Sequence, residues 1–218
     1  MKPCIILLGP PGSGKGSQTE KLKSFLGFQT VSTGDLVRSQ IKGQTSIGLE
    51  IEPFLKEGRL VPDELIVQLF KEWIKDNQDA KGFILDGFPR TLEQAYIFNK
   101  DIVGKFNLKV QVIYLEVSVD LLISRMLTRL ICNKCKAVYN TTSKPPKHLN
   151  QCDECGEALE RRQDDNPETI VTRNKEYMSL TAPLVEFFLE NLVTINGDQD
   201  SEKVFSDIMK GLNNGNLN

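Results

Sequence analysis

Apolar residues fall into short solid runs separated by longer periodic stretches. Cys4–Leu8 is near-continuously apolar, and Phe83–Leu85, Val110–Leu115 and Leu192–Ile195 resemble it, with Phe28–Val31 a weaker fifth run. Runs of this kind, lacking alternation, mark strands buried on both faces of a parallel sheet. Between them lie helical patterns. Leu65-Ile66, Leu69-Phe70 and Trp73-Ile74 recur at three- and four-residue spacing behind Pro62-Asp63-Glu64, where proline and acids suit a helix start. Ser17–Phe25, Val119–Arg129, Pro167–Leu189 and Ser201–Leu212 read as further helices. Alternating strands and helices predict an α/β fold: a parallel five-stranded sheet with right-handed crossovers and helices on both faces. Ligands of such sheets bind beyond the carboxyl ends of the strands. Gly9 and Asp86 both follow strand ends and should face one crevice.

Two stretches break the alternation. Residues 32–61 hold two short amphipathic helices with no strand between them. Leu130 to Asp165 is turn-rich and carries Pro145-Pro146. Both read as insertions over the sheet. The expected division is a core of 1–31, 62–127 and 166–218, an insertion at 32–61 and a lid at 128–165. The Asn/Gly-rich end from Asn213 is expected to fray.

The first strand runs into Gly9-Pro10-Pro11-Gly12-Ser13-Gly14-Lys15-Gly16-Ser17 and then a helix. Strand, glycine loop and helix form the context of a phosphate-binding loop. Glycines let backbone N–H groups converge on phosphate oxygens, the helix dipole adds positive potential, and Lys15 adds a mobile charge. The pattern G-x4-G-K-[ST] has Gly16 in its last position, with the hydroxyl delayed to Ser17. That shift points toward small phosphotransferases rather than switch GTPases or motor ATPases.

Cys132-x2-Cys135 and Cys152-x2-Cys155 lie sixteen residues apart. Two tight pairs at this spacing supply four thiolates that close a tetrahedron, the pattern of a structural zinc ribbon. His148, between the pairs, reads as a surface residue, and Cys4 as a small buried hydrophobe. From Arg129 to Asp165 there are seven Lys/Arg and six Asp/Glu. A zinc ion with four thiolates adds about −2, which leaves no electrostatic footprint for a nucleic acid.

The 218 residues suit one core with small insertions. A net charge of −2 shows no polyanion bias, so a phosphate site must be locally basic. No apolar run of 18 residues suggests a membrane span, and no secretory signal is evident. The expectation is a cytoplasmic monomer, with no nucleic-acid or membrane partner.

Any one arginine is ordinarily solvated surface, but Arg38, Arg90, Arg125, Arg129, Arg162 and Arg173 keep notable company. Arg90 closes Asp86-Gly87-Phe88-Pro89-Arg90 directly after a buried strand. Arg125 and Arg129 are expected on one helix face at i, i+4, and Arg162 ends the cysteine segment. At this point the chain resembles the adenylate kinase family of nucleoside monophosphate kinases, in its long-lid, zinc-bearing form. The resemblance rests on residues 9–18, Ser32-Thr33-Gly34-Asp35-Leu36-Val37-Arg38, Gly58-Arg59-Leu60-Val61-Pro62-Asp63-Glu64, residues 86–91 and Arg162-Gln163-Asp164-Asp165-Asn166, and spans Ile5 to about Gly197. Ser17 departs from the usual threonine but keeps the hydroxyl.

The resemblance implies an enzyme that transfers a phosphoryl group from MgATP to AMP, giving two ADP. It implies that Gly12, Ser13, Gly14, Lys15, Gly16 and Ser17 wrap the ATP phosphates with Arg129. Val138, Tyr139 and the backbone near Gln199 would line the base side, and Arg125 would stack on adenine. Thr33, Arg38, the Arg59-Leu60-Val61 backbone, Gly87, Phe88, Pro89, Arg90 and Gln94 match the AMP site. Lys15, Arg90, Arg129, Arg162 and Arg173 are the expected catalytic cations, with Arg162 and Arg173 also meeting AMP. Asp86 would hold Mg2+ through water, and Asp164 and Asp165 would fix the closed lid. The chemistry of the residues agrees: a phosphate acceptor is mostly dianionic at neutral pH and needs no general base, so positioning and charge neutralisation suffice. The rivals are a UMP/CMP kinase, against which Thr91 and Gln94 weigh, and a P-loop ATPase whose ribbon binds a nucleic acid or protein.

Overall fold

The computed structural model describes residues 1–162 and 164–214. Among these, the chain opens with β1 (Lys2–Leu8), α1 (Lys15–Leu26) and β2 (Gln29–Ser32). Two helices follow without a strand, α2 (Thr33–Lys42) and α3 (Ser46–Glu57), then α4 (Asp63–Asp76) and β3 (Phe83–Asp86). After α5 (Leu92–Ile97), which continues as a π-helical turn to Val103, come β4 (Leu108–Glu116) and α6 (Val119–Leu127). The insertion contributes β5 (Arg129–Cys132), β6 (Val138–Asn140) and β7 (Leu159–Glu160). The chain ends with α7 (Pro167–Glu176), α8 (Leu184–Phe187), β8 (Leu192–Asn196) and α9 (Ser201–Asn214).

The five expected strands form one sheet in the order β2-β3-β1-β4-β8, all pairs parallel. Alternation along β1 divides the core. Cys4, Ile6 and Leu8 join a cluster on one face with Phe70, Phe83, Phe88 and Phe98, whereas Ile5 and Leu7 join Leu22, Ile113, Ile195 and Ile208 on the other. Both faces of β1 and β3 are dry, which explains why they read as apolar runs, whereas the edge strands β2 and β8 are partly exposed and carry Gln29, Thr30 and Thr194. Cys4 is fully buried, and burial pushes its thiol pKa up. β1 is followed by β2 on one side, and the chain crosses to β4 on the other, so the loop after β1 lies where strand order reverses. That is where such sheets open a crevice.

Three expectations need correction. The helix read as Val119–Arg129 stops at Leu127, and Arg129 opens β5. The insertion ties that helix end down: Asn140 Nδ2 donates to Thr128 Oγ1 at 2.7 Å and Arg125 O at 3.3 Å, and Thr141 N to Thr128 O at 2.9 Å. Arg125 and Arg129 therefore do not share a helix face. The helix read as Pro167–Leu189 is broken by a π-helical turn over Tyr177–Thr181, just before Pro183, which has no N–H to continue the ladder. The run from Leu92 to Val103 forms a helix that the apolar pattern did not reveal. Of the end expected to fray from Asn213, residues 215–218 lie outside the described residues, while α9 continues to Asn214.

The cysteine segment folds as a three-stranded antiparallel sheet, β6-β5-β7. Its two cysteine turns are built alike. Lys136 N donates to Cys132 O at 3.0 Å and Cys132 N to Ala137 O at 2.9 Å; Gly156 N donates to Cys152 O at 2.9 Å and Cys152 N to Glu157 O at 2.8 Å. The equivalent residues Lys136 and Gly156 both adopt left-handed backbone, φ 66° and 73°. Glycine does so without a Cβ penalty, whereas an ordinary residue loses about 1–2 kcal/mol. Lys136→Gly is therefore expected to stabilise the chain by about 0.5 kcal/mol once glycine's added unfolded-state entropy is deducted, a rise in Tm of about 1–2 °C. Thermal melts of the metal-loaded protein check this, and a lowered Tm would show that the Lys136 side chain contributes more than its backbone costs.

Candidate functional site

The phosphate-type loop joins β1 to α1 with Gly9, Gly12 and Gly14 at positive φ. Gly12 is needed sterically as well, since a Cβ there would lie 2.8 Å from Leu122 O of α6. The loop folds around the ammonium of Lys15, whose Nζ donates to Gly9 O at 2.7 Å, Pro10 O at 3.0 Å and Ser13 Oγ at 3.4 Å. Burial pushes the Lys15 pKa down to about 8; Asp86 opposes the shift, and Arg90, Arg173 and Arg129 add to it. The loop thus already lies in positive surroundings.

Those surroundings come from separate parts of the chain. Parallel register aligns Leu7 with Asp86 and Ser32 with Asp86, which brings the ends of β1, β3 and β2 to one edge. Phe88 fixes the loop after β3 by burying its ring 4.2 Å from that of Phe70. Gly87 O then accepts from Thr33 Oγ1 at 2.6 Å and Arg90 Nε at 2.8 Å, joining the start of α2 to this loop. Burial, with Arg173 nearby, takes the Arg90 pKa down to about 10, which leaves it cationic at neutral pH. Arg38 pairs with Asp35 at 2.7 Å and lies within electrostatic reach of Arg90, Arg162 and Asp164.

Across the crevice, Asp165 holds Arg129 by two bonds, Nε–Oδ2 at 2.7 Å and Nη2–Oδ1 at 2.6 Å, and takes a third from Arg173 Nη1 at 3.0 Å. Its side chain is only 2% exposed. Arg173 also donates to Asp164 Oδ2 at 3.1 Å. Burial pushes the Asp164 pKa up, but Arg173, Arg162, Arg38 and Arg129 outweigh it and hold the carboxyl below its ordinary value. Burial beside Arg129 and Arg38 takes Arg162 down to about 10, and its buried Nε has no partner among the described residues. Six cations, Lys15, Arg38, Arg90, Arg129, Arg162 and Arg173, thus converge with Asp35, Asp86, Asp164 and Asp165. They leave about two positive charges uncompensated, which suits a polyanion.

Other expected residues lie around this centre with differing roles. Arg125 donates to Gly197 O at 3.0 Å beside the loop, and burial lowers its pKa. Ser17 and Gly16 stand at the start of α1, and a Cβ on Gly16 would lie 3.6 Å from Asp86 Oδ2. Arg59 turns its side chain outward to Glu57 at 3.0 Å, consistent with a backbone role, although Leu60 N already donates to Glu176 Oε2 at 3.4 Å. Gln199 likewise binds Asp207 Oδ2 and Asn196 O through its side chain, leaving its backbone. Tyr139 is turned inward. Pleat alternation turns it opposite to Val138 and into the small sheet's core, where its hydroxyl lies 3.6 Å from Cys152 Sγ and accepts from Asp153 N at 2.8 Å. Its ring is buried in that small core, where it supports the cysteines.

The four sulfurs of Cys132, Cys135, Cys152 and Cys155 all lie within 4.8 Å of one another, two pairs at 3.4 Å. A tetrahedron with metal–sulfur distances of 2.3 Å has edges of about 3.8 Å, so the group fits one ion. Cys135 N points to Cys132 Sγ at 3.5 Å. His148 is exposed and stands outside the group.

Asp63, which the sequence marks as an acid at a helix start, does more: its carboxylate accepts from Thr91 Oγ1 at 2.8 Å and Gln94 Nε2 at 2.7 Å. Its place in the 58–64 motif was the available signal. Among the described residues no helix is long and apolar enough to cross a membrane.

Comparison with known proteins agrees with this geometry. The family model described as adenylate kinase matches residues 7–193. A protein of Thermosipho melanesiensis is 39% identical over 208 residues, covering 94% of this chain and 97% of its own. One from a Geobacillus species is 41% identical over 207 residues, covering 94% and 95%. One from Kosmotoga olearia is 39% identical over 213 residues, covering 96% and 99%. Each of the three is called adenylate kinase.

Proposed function

The chain belongs to the adenylate kinase family, and from that premise we propose how its own residues carry the reaction. The enzyme is a phosphotransferase acting on ATP and AMP, and nucleotides are its substrates. The observation that carries the residue-level reading is the convergence of six cations from separate segments on the loop after β1.

Backbone N–H groups of Gly12 to Ser17, at the start of α1, receive the phosphates of ATP, with Lys15 and Arg129 at their charged oxygens. Arg125 lies against the base, with Val138 and the Tyr139 and Gln199 backbone beside it. AMP lies between α2 and the loop after β3, its phosphate met by Arg38, Arg90, Arg162 and Arg173, while Thr33, Gln94 and the Arg59-Leu60-Val61 backbone hold the nucleoside. Two polyanions held in line need no base, because the acceptor is already ionised. The arginines neutralise charge on the transferring group, where one positioned arginine is worth about 10³–10⁵ in rate in other phosphoryl-transfer enzymes. Asp164 and Asp165 keep the arginines ordered before nucleotide arrives.

Adenylate kinases use Mg2+ with ATP, and the ion neutralises the phosphates. Asp86, opposing Lys15 across the crevice and next to Gly16, is the residue suited to hold it through water. The cysteine group suits a structural Zn2+, since four thiolates leave no open position. The reading divides the chain into a core, the AMP-side insertion at 32–61 and the lid at 128–165; α2, α3 and the small antiparallel sheet support those boundaries. Thiolates kept for a metal suit the cytoplasm.

An acceptor panel tests the proposal. With MgATP, AMP is expected to give diphosphate at least about 100-fold faster than GMP, UMP or CMP. Turnover of UMP or CMP instead would keep the chemistry and overturn the assignment of Thr33 and Gln94.

A further inference from the structure

Asp63 begins α4, where an acid suits the helix dipole, but its carboxylate faces the start of α5. Oδ1 accepts from Gln94 Nε2 at 2.7 Å and Oδ2 from Thr91 Oγ1 at 2.8 Å. The other end of the Gln94 amide is also committed, because Oε1 accepts from Arg90 N at 2.8 Å. Thr91 Oγ1 in turn accepts from Gln94 N at 3.1 Å. Gln94 is 1% exposed. These partners permit one orientation of the amide. Turned over, Oε1 would face a carboxylate with no proton to give, and Nε2 would face the Arg90 N–H. Both bonds would be lost in a buried place where unpaired polar groups are costly.

An amide nitrogen has two protons and its oxygen two lone pairs. Gln94 therefore keeps one donor and one acceptor in a fixed order. Adenine presents an acceptor, N1, beside a donor, the 6-amino group. A 6-oxopurine presents the reverse, an N1–H donor beside the O6 acceptor. A glutamine free to turn over serves either edge, whereas a held one serves a single order. AMP and inosine monophosphate (IMP) differ only at this edge and have nearly the same size, so shape alone separates them poorly.

We propose that Asp63 is a specificity-determining positioning residue, whose carboxylate fixes the Gln94 amide so that the acceptor site takes adenine and rejects 6-oxopurines. Asp63 itself does not touch the nucleotide. The inference rests on the reading that Gln94 meets the base.

The test measures kcat/KM for AMP and for IMP in the wild type, Asp63→Asn, Asp63→Ala and Gln94→Ala, with Tm and the KM for ATP followed in parallel. In Asp63→Asn an amide nitrogen can face Gln94 Oε1, so the overturned amide loses only its bond to Arg90. The AMP:IMP ratio is expected to fall about tenfold, because IMP improves while AMP weakens. Damage to packing alone would lower both substrates together and leave the ratio, which would overturn the proposal. If Gln94→Ala lowers the ratio but both Asp63 variants keep it, Gln94 reads the base and Asp63 does not fix it. If Gln94→Ala leaves the ratio unchanged, the base reading fails and the inference fails with it. Should the Asp63 variants not fold, Thr91→Val releases Oδ2 while keeping the carboxylate; a fall of about threefold is expected, and no fall overturns the inference.

Discussion

Replacing Lys15 by alanine lowers turnover by about 10²–10³-fold while the chain stays folded. Lys15 spends its ammonium protons on loop carbonyls at 2.7 and 3.0 Å, but it stands among Arg90, Arg129 and Arg173. Without a polyanion its charge is repelled by its neighbours and penalised by burial, so removing it relieves the empty site. With nucleotide phosphates present the sign reverses, and the ammonium is attracted to the transferring group. The loss therefore falls on catalysis rather than on Tm. The same surroundings predict a pH dependence. With its pKa lowered to about 8, Lys15 loses its proton in the free enzyme above that pH, and kcat/KM for MgATP declines there. Bound phosphates raise the pKa, so kcat holds to higher pH. Because the folded value lies below the unfolded one, the folded chain gains stability from this group as pH rises from about 8 toward the ordinary lysine value. Lys15→Arg is expected to move the basic limb upward. A coupled assay of ADP formation across pH reads the activity changes, thermal melts across pH read the stability, and wild-type turnover in Lys15→Ala would remove Lys15 from the site.

Cys132→Ser is expected to release the metal and lower Tm by about 10 °C, from a loss of several kcal/mol in a chain of this size. The lid's own cluster consists of Leu130, Cys132, Ala137, Tyr139, Cys152 and Leu159, with Cys155 packed against it. Three of those seven are cysteines of the group proposed to hold the metal, which leaves too little apolar surface to hold a sheet of two- to four-residue strands. A structural zinc supplies about 10–16 kcal/mol of apparent folding energy in zinc-finger peptides. Arg129 at one root of the lid and Arg162 near the other belong to the cationic centre, so a loosened lid should raise the KM for ATP more than a loosened core would. Elemental analysis and melting with and without a chelator measure both effects. Unchanged metal content in the variant would refute the four-thiolate site.

Removing Asp63's carboxylate probes a different kind of contact, one that links residues about thirty positions apart through a single buried amide. No periodicity in the chain marks it. The same is true of Tyr139, which alternates into the lid core because β6 pairs with β5, and of Arg129, whose helix ends early because Asn140 reaches back to its last turn.

Features that are local or that repeat are legible along the chain. The buried central strands follow from near-continuous apolar runs, the glycine loop from its place between a strand and a helix, and the four-cysteine group from two short cysteine turns. In each case a few adjacent residues carry the whole physical requirement. Which cations share a centre, where α6 gives way to the small sheet, and how the Gln94 amide is turned emerge from packing alone. Those depend on contacts between residues tens of positions apart, and such contacts exist only once sheet register and the burial of Phe88 bring the segments to one edge.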